Sequence, residues 1–214
     1  MKTIVLQQVL PDVFAQGPIR PSEVWRSEVK FEKGKHYLVE AQSGAGKSTL
    51  CSYLTGYRND YAGSILFDGM DIRRLTENDW SSLRRRHLSL LFQELRLFPE
   101  LTAMENVEIK NKLTRWKSPK EIAEWFERLG IADKMEAKVG RLSYGQQQRV
   151  ALLRSLVQPF DFFLADEPIS HLDEANSETM AALLAEESER QGAAIVVTSI
   201  GKHLPLPYDH VLRL

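Results

Sequence analysis

Residues 41–49 read AQSGAGKST, and the segments on either side of them leave little choice of fold. A short apolar run, YLVE, precedes the loop, and STLCSYLT follows it with helical spacing. When a strand turns into a helix through Gly44 and Gly46, successive backbone N–H groups point inward and form an anion nest. The helix N-terminus adds its partial positive charge to that nest. Ser43, Gly44, Ala45, Gly46 and Thr49 form the cradle, Lys47 reaches outer phosphates as a point charge, and the Ser48 hydroxyl suits a Mg²⁺ ligand.

A second string, FFLADEP at 162–168, is an apolar strand ending in Asp166 and Glu167. That pair suits a metal-holding carboxylate beside a base that activates water. Phosphates need donors and a cation, and hydrolysis needs a base and a positioned water. The two strings together imply a site that binds and hydrolyses a nucleoside triphosphate. One position breaks the usual G-x-x-x-x-G-K-[ST] pattern, because Ala41 stands where glycine is expected. Either the turn accepts negative φ there or the loop is slightly distorted, since alanine resists positive φ.

With 214 residues the chain suits one domain, or one domain carrying an inserted subdomain. Its 28 Lys plus Arg against 29 Asp plus Glu give no global reason to expect nucleic acid as a partner. The densest basic run, Arg84-Arg85-Arg86, sits among leucines and reads as a solvated helix face. The single cysteine, Cys51, excludes an intramolecular disulfide and falls in the helix after the loop, where a small buried side chain is its expected role. The N-terminal MKTIVLQQVLPDVF reads as a first strand and not as a signal peptide. Runs such as LSLLF and AAIVV are too short to span a bilayer.

Strand patterns fall at 3–6, 29–31, 37–40, 64–67, 88–92, 162–165 and 194–198, with an edge strand at 211–214. Helical patterns run through 48–55, 119–129, 145–156 and 174–190, the last ending before Gly192. Between about 76 and 150, only 88–92 reads as strand, which implies a helical insertion. The alternation predicts an α/β fold, with a largely parallel sheet covered on both faces and the ligand at the C-terminal strand ends.

Between the two phosphate strings lies LSYGQQQR, at 142–149. AQSGAGKST, LSYGQQQR and FFLADEPISHLD, in this order, resemble the ATP-binding cassette ATPases over nearly the whole chain. The resemblance implies a P-loop NTPase core, an antiparallel β subdomain and a helical subdomain at about 76–150, with ATP and Mg²⁺ as cofactors. It also implies that Leu142, Ser143, Tyr144, Gly145 and Gln146 face the ATP of an opposite subunit. The physics agrees: Ser143 is a good N-cap, Gly145 permits close backbone approach, and a helix dipole attracts phosphate.

By the same resemblance, Gln93 touches Mg²⁺ and the attacking water, and its segment contacts a membrane permease. Phe14 takes the place of the aromatic residue that stacks on adenine, with core packing as its alternative role and Trp25 as a second candidate. Glu167 polarises the water, Asp166 holds Mg²⁺, and Asp173 helps assemble the dimer interface. The SILFDG and FQELRLFPELTAMENV stretches are most similar to the lipoprotein-release and macrolide-efflux group with its cell-division relative. The implied partners are a permease and a second copy or a related subunit, and the implied place is the inner face of the membrane.

Two further departures stand out. Tyr144 replaces the usual glycine of the signature, so its ring must point aside, stack, or hold two subunits apart. Ser199 occupies the place of the switch histidine, and a serine brings neither charge nor a proton shuttle near neutral pH. His203 and His171 are the nearby substitutes. Slow hydrolysis with ordinary ATP binding follows as an expectation. The alternative is a nucleotide-dependent regulatory module, with weak or no hydrolysis, acting on a membrane or cell-wall partner.

Overall fold

Two sheets share one scaffold in the computed structural model, which describes residues 1–17, 21–169 and 173–214. The larger is a five-stranded parallel sheet in the order β6-β7-β8-β3-β9. Its strands are β3 (His36–Glu40), β6 (Leu88–Leu91), β7 (Phe162–Asp166), β8 (Ala194–Ser199) and β9 (His210–Arg213). The smaller is antiparallel in the order β2-β1-β4-β5, from β1 (Thr3–Pro11), β2 (Glu28–Glu32), β4 (Tyr61–Phe67) and β5 (Met70–Asp71). The helices are α1 (Lys47–Leu54), α2 (Glu77–Arg86), α3 (Ala103–Asn111), α4 (Pro119–Arg128), α5 (Tyr144–Leu156) and α6 (Glu174–Gln191).

The parallel strands alternate their side chains between two cores, as a period of two requires. Phe163, Ala165, Ile195 and Val197 face a core built with α3 to α6. Phe162, Leu164, Ala194 and Val196 face a second core shared with α1 and the antiparallel sheet. Every residue of β7 is buried, which is why FFLAD reads as a continuous apolar run and not as an alternating one. Cys51 is buried on α1, where desolvation pushes its thiol well above the ordinary range.

Two helices lie beyond the periodic patterns of the sequence. Helices α2 and α3 each open with a reciprocal capping box, Thr76 with Asp79 and Thr102 with Glu105. Helix α4 uses Ser118 with Glu121 in the same way, followed by Pro119 at its first turn. The basic run at the end of α2 is not uniformly solvated: Arg85 and Arg86 are exposed, but Arg84 donates to the Thr55 carbonyl at 3.1 Å and so caps the end of α1. Between β5 and β7 the chain passes through α2, returns to the parallel sheet as β6, then forms α3 to α5.

Candidate active site

The phosphate loop leaves β3 at Glu40 and enters α1 at Lys47. Ala41 is not among the residues of positive φ, and its N–H donates to the Ser199 carbonyl at 3.0 Å, continuing the β3–β8 pairing. The loop therefore absorbs the missing glycine without distortion at that position. Gly44 and Gly46 do need glycine, with φ of 77° and 101°. No side chain caps the first turn of α1, so its N–H groups open onto the loop.

Phe14 and Trp25 stand over the far side of this loop. A Cβ on Gly46 would meet Phe14 Cε2 and Trp25 Cζ2 at 3.1 Å each. Trp25 Nε1 donates to the Ala45 carbonyl at 3.0 Å, which makes this ring a brace for the loop. Phe14, Trp25, Gly44 and Ala45 line one cavity of about 390 Å³, within the size range of small-molecule sites. Gly46→Ala is expected to weaken nucleotide binding about tenfold, because left-handed backbone costs an L-residue roughly 1–2 kcal/mol. Titration with a fluorescent nucleotide checks this, and wild-type affinity would show that the loop does not need its left-handed turn.

Three polar side chains converge at the mouth of the loop. Lys47, 5% exposed, lies 3.3 Å from Glu167 Oε1 and 3.2 Å from the Gln42 carbonyl, so its ammonium is ion-paired. Gln93 Nε2 lies 3.5 Å from Glu167 Oε2. Glu167 itself adopts a left-handed conformation, φ 48°, at the end of β7, and its N–H donates to the Thr198 carbonyl at 3.1 Å. Strained backbone of this kind clusters at functional sites.

Ser48, Gln93 and Asp166 line a smaller cavity of about 90 Å³. Asp166 is 5% exposed and one of its oxygens accepts from Thr198 Oγ1 at 2.7 Å, which fixes the carboxylate. Hydroxyl, amide and carboxylate oxygens are the hard donors Mg²⁺ takes, with phosphate and water completing its shell. The donor set fits the ion.

Ser199 ends β8 beside the loop, 1% exposed, and its hydroxyl donates to the Lys202 carbonyl at 2.5 Å. His203 stacks its ring on Tyr208 at 5.5 Å, and His171 lies outside the described residues. Asp173 caps α6: its carboxylate accepts from Asn176 N at 2.8 Å and from Asn176 Nδ2 at 2.7 Å, which holds it below the usual carboxylate range.

The signature segment begins α5. Ser143 and Gln146 form a reciprocal capping box, so Ser143 is the N-cap the sequence predicts. Leu142 is buried, Gly145 half-buried, and Tyr144 is 40% exposed. The Tyr144 ring points aside: its hydroxyl donates to the Gln93 carbonyl of the same chain at 3.2 Å. Four supporting residues escape a reading of motifs. These are Thr198, which fixes Asp166; Gln42, which accepts from Lys47; Gln148, which donates to the Pro168 carbonyl at 3.2 Å; and Arg154 of α5. Gln42 and Gln148 lie inside the phosphate-loop and signature strings, and Thr198 carries a local signal as a polar residue at the C-terminal end of an apolar strand.

Comparison with known proteins agrees with this architecture. A family model described as ABC transporter matches residues 25–170. The lipoprotein-releasing system ATP-binding protein LolD of Syntrophotalea carbinolica is 32% identical over 204 residues, 94% of this chain and 90% of LolD. The macrolide export ATP-binding/permease protein MacB of a Shewanella species is 32% identical over 192 residues, 87% of this chain but 29% of MacB. The dimeric structure of a bacterial ABC transporter cassette has a TM-score of 0.77 at 27% identity, covering 92% of this chain and 87% of that one. The chain belongs to the ABC transporter family, and the part of that family it represents is the ATPase cassette.

Proposed function

We propose that this chain is the ATP-binding and ATP-hydrolysing subunit of a transporter whose membrane-spanning part is a separate chain. The observation that carries the reading is the convergence of Lys47, Glu167 and Gln93 at the head of a glycine loop. The relatives named for lipoprotein release and macrolide export support the transport context. No helix among the described residues is long and apolar enough to cross a membrane. A cytoplasmic chain held at the inner membrane face by a permease, through the Gln93 segment, fits these facts.

Two copies would close on two ATP molecules, each held between the loop of Gly44 to Thr49 and the Leu142 to Gln146 segment of the other copy. The N–H groups of the loop and α1 would hold the phosphates, with Phe14 against the base. Lys47 would exchange Glu167 for the outer phosphates. Glu167, released from the ion pair, would take a proton from the attacking water while Gln93 orients it. Ser48, Asp166 and Gln93 would hold Mg²⁺, which would supply charge neutralisation at the phosphates. ATP shifts the population to the closed dimer because only that state makes both sets of phosphate contacts. Asp173 would lie at the dimer interface, and the residues of about 76–150 would form the helical subdomain of a single nucleotide-binding domain.

A second reading, a regulatory module with little hydrolysis, is favoured by one observation: the Ser199 hydroxyl is spent on the Lys202 carbonyl. Ser199→His is expected to raise turnover about tenfold or more by restoring a donor at the phosphates. Equal rates, with equal melting temperatures, would show that the switch position does not limit the chemistry. Mg-ATP hydrolysis across a range of protein concentrations, with Glu167→Gln as blank, tests the first reading. A rate rising faster than linearly marks a self-complementing ATPase, and a rate equal to the blank leaves two options, an ATPase that requires its membrane partner or the regulator.

A further inference from the structure

We infer that Tyr144 is a positioning residue for Gln93, so that the signature helix and the active-site glutamine of one chain move as one piece. This rests on the proposed roles of Gln93 and Glu167 in holding and activating water.

The contact spans 51 residues of sequence, from the first turn of α5 to the segment after β6. It is not isolated. Near the other end of α5, Arg154 donates to the Leu95 carbonyl at 2.5 Å and to the Arg96 carbonyl at 2.6 Å. One rigid helix therefore grips the Gln93 segment at three carbonyls. The segment needs the grip, because Leu95 and Arg96 both take left-handed backbone, φ 58° and 50°, without glycine. Conformations of this kind persist only where the surroundings over-determine them. The same helix reaches the other side of the water position through Gln148 and the Pro168 carbonyl, next to Glu167.

The geometry assigns opposite ends of one lever to two events. Whatever meets the N-terminus of α5 from outside displaces Tyr144, and Tyr144 carries the Gln93 backbone with it. The 3.5 Å approach of Gln93 to Glu167 is set by that position. A glycine in place of Tyr144 has no side chain with which to make this link, so the substitution adds a connection within the chain.

The test is Tyr144→Phe, which removes the hydroxyl and keeps the ring, made both alone and in a Gln93→Ala background. The turnover number of the single variant should fall about two- to tenfold with KM for ATP unchanged, the range expected for one lost hydrogen bond. In the Gln93→Ala background the same change should cost nothing further, because the residue it positions is gone. Hydrogen exchange across residues 92–97 should quicken in Tyr144→Phe. An equal fractional loss in both backgrounds would overturn the proposal, as would unchanged exchange at 92–97. The exchange arm needs no turnover, so a wild-type chain that fails to hydrolyse ATP would count against the proposed function while leaving this link to be judged by exchange.

Discussion

Glu167→Gln is expected to bind ATP, to hydrolyse it about 10²–10⁴ times more slowly than wild type, and to accumulate as a dimer. The loss follows from removing a carboxylate at the mouth of the loop that, among the described residues, is held by Lys47 and not by a hydroxyl. Asp166 is held by Thr198, whereas Glu167 is held by Lys47, which on the proposed mechanism would exchange it for phosphate. Tighter ATP binding follows from the same contact. In the wild type the carboxylate both holds Lys47 and repels the outer phosphates, and a neutral amide does neither. Size-exclusion chromatography with excess Mg-ATP, beside a phosphate-release assay, checks both halves. A variant that stays monomeric at saturating ATP would count against closure on two nucleotides, and one that still turns over would move the base elsewhere.

The largest effect on stability should come from Glu187→Leu, far from the nucleotide. Glu187 is 1% exposed and lies 3.0 Å from Lys117 Nζ, itself in a residue 6% exposed. Arg190 at 3.1 Å, Gln191 at 2.9 Å and Trp116 at 3.4 Å complete its partners. Lys117 is in turn clasped by Asn111, which bonds its backbone at both N–H and carbonyl, and its ammonium sits 4.9 Å from the Trp125 ring. The cluster ties the turn between α3 and α4 to α6. Removing Glu187 leaves the buried Lys117 ammonium to the exposed Glu121 at 3.6 Å, and breaking a buried ion pair costs about 3–5 kcal/mol, a large part of the roughly 5–15 kcal/mol available to a domain. A drop of about 6–20 °C in melting temperature should follow. The double variant Lys117→Met with Glu187→Leu should regain most of it, because no charge remains stranded. A single variant melting within about 2 °C of wild type would mean that the cluster is not a support.

The sequence made the site more legible than its supports, and the reason is chain distance. The phosphate loop, the Asp166-Glu167 pair and the capped start of α5 are contiguous strings whose local backbone does the work, so their residues could be named before any coordinates. The strands were legible because β7 and β8 are buried on both faces and read as unbroken apolar runs. Helices α2 and α3 did not declare themselves by periodicity, although T-x-x-D at 76–79 and T-x-x-E at 102–105 carried a start signal in each case. Nothing local marks the left-handed turn at Leu95 and Arg96, since neither is a residue type that favours positive φ. The links from Tyr144 to Gln93 and from Lys117 to Glu187 join residues 51 and 70 positions apart, and no pattern of composition announces such pairs.

The left-handed backbone at Glu167 means that this chain stores part of its free energy where it is least useful to the fold. Glycine or asparagine would sit there with less strain, of order 1–3 kcal/mol. Selection for folding alone therefore points away from the residue proposed as the base. If Glu167 has that role, a gene copy relieved of the need to turn over nucleotide would gain stability by discarding it, and could do so while keeping the phosphate loop. Catalytically silent cassettes that still bind nucleotide would then be a downhill destination for this architecture.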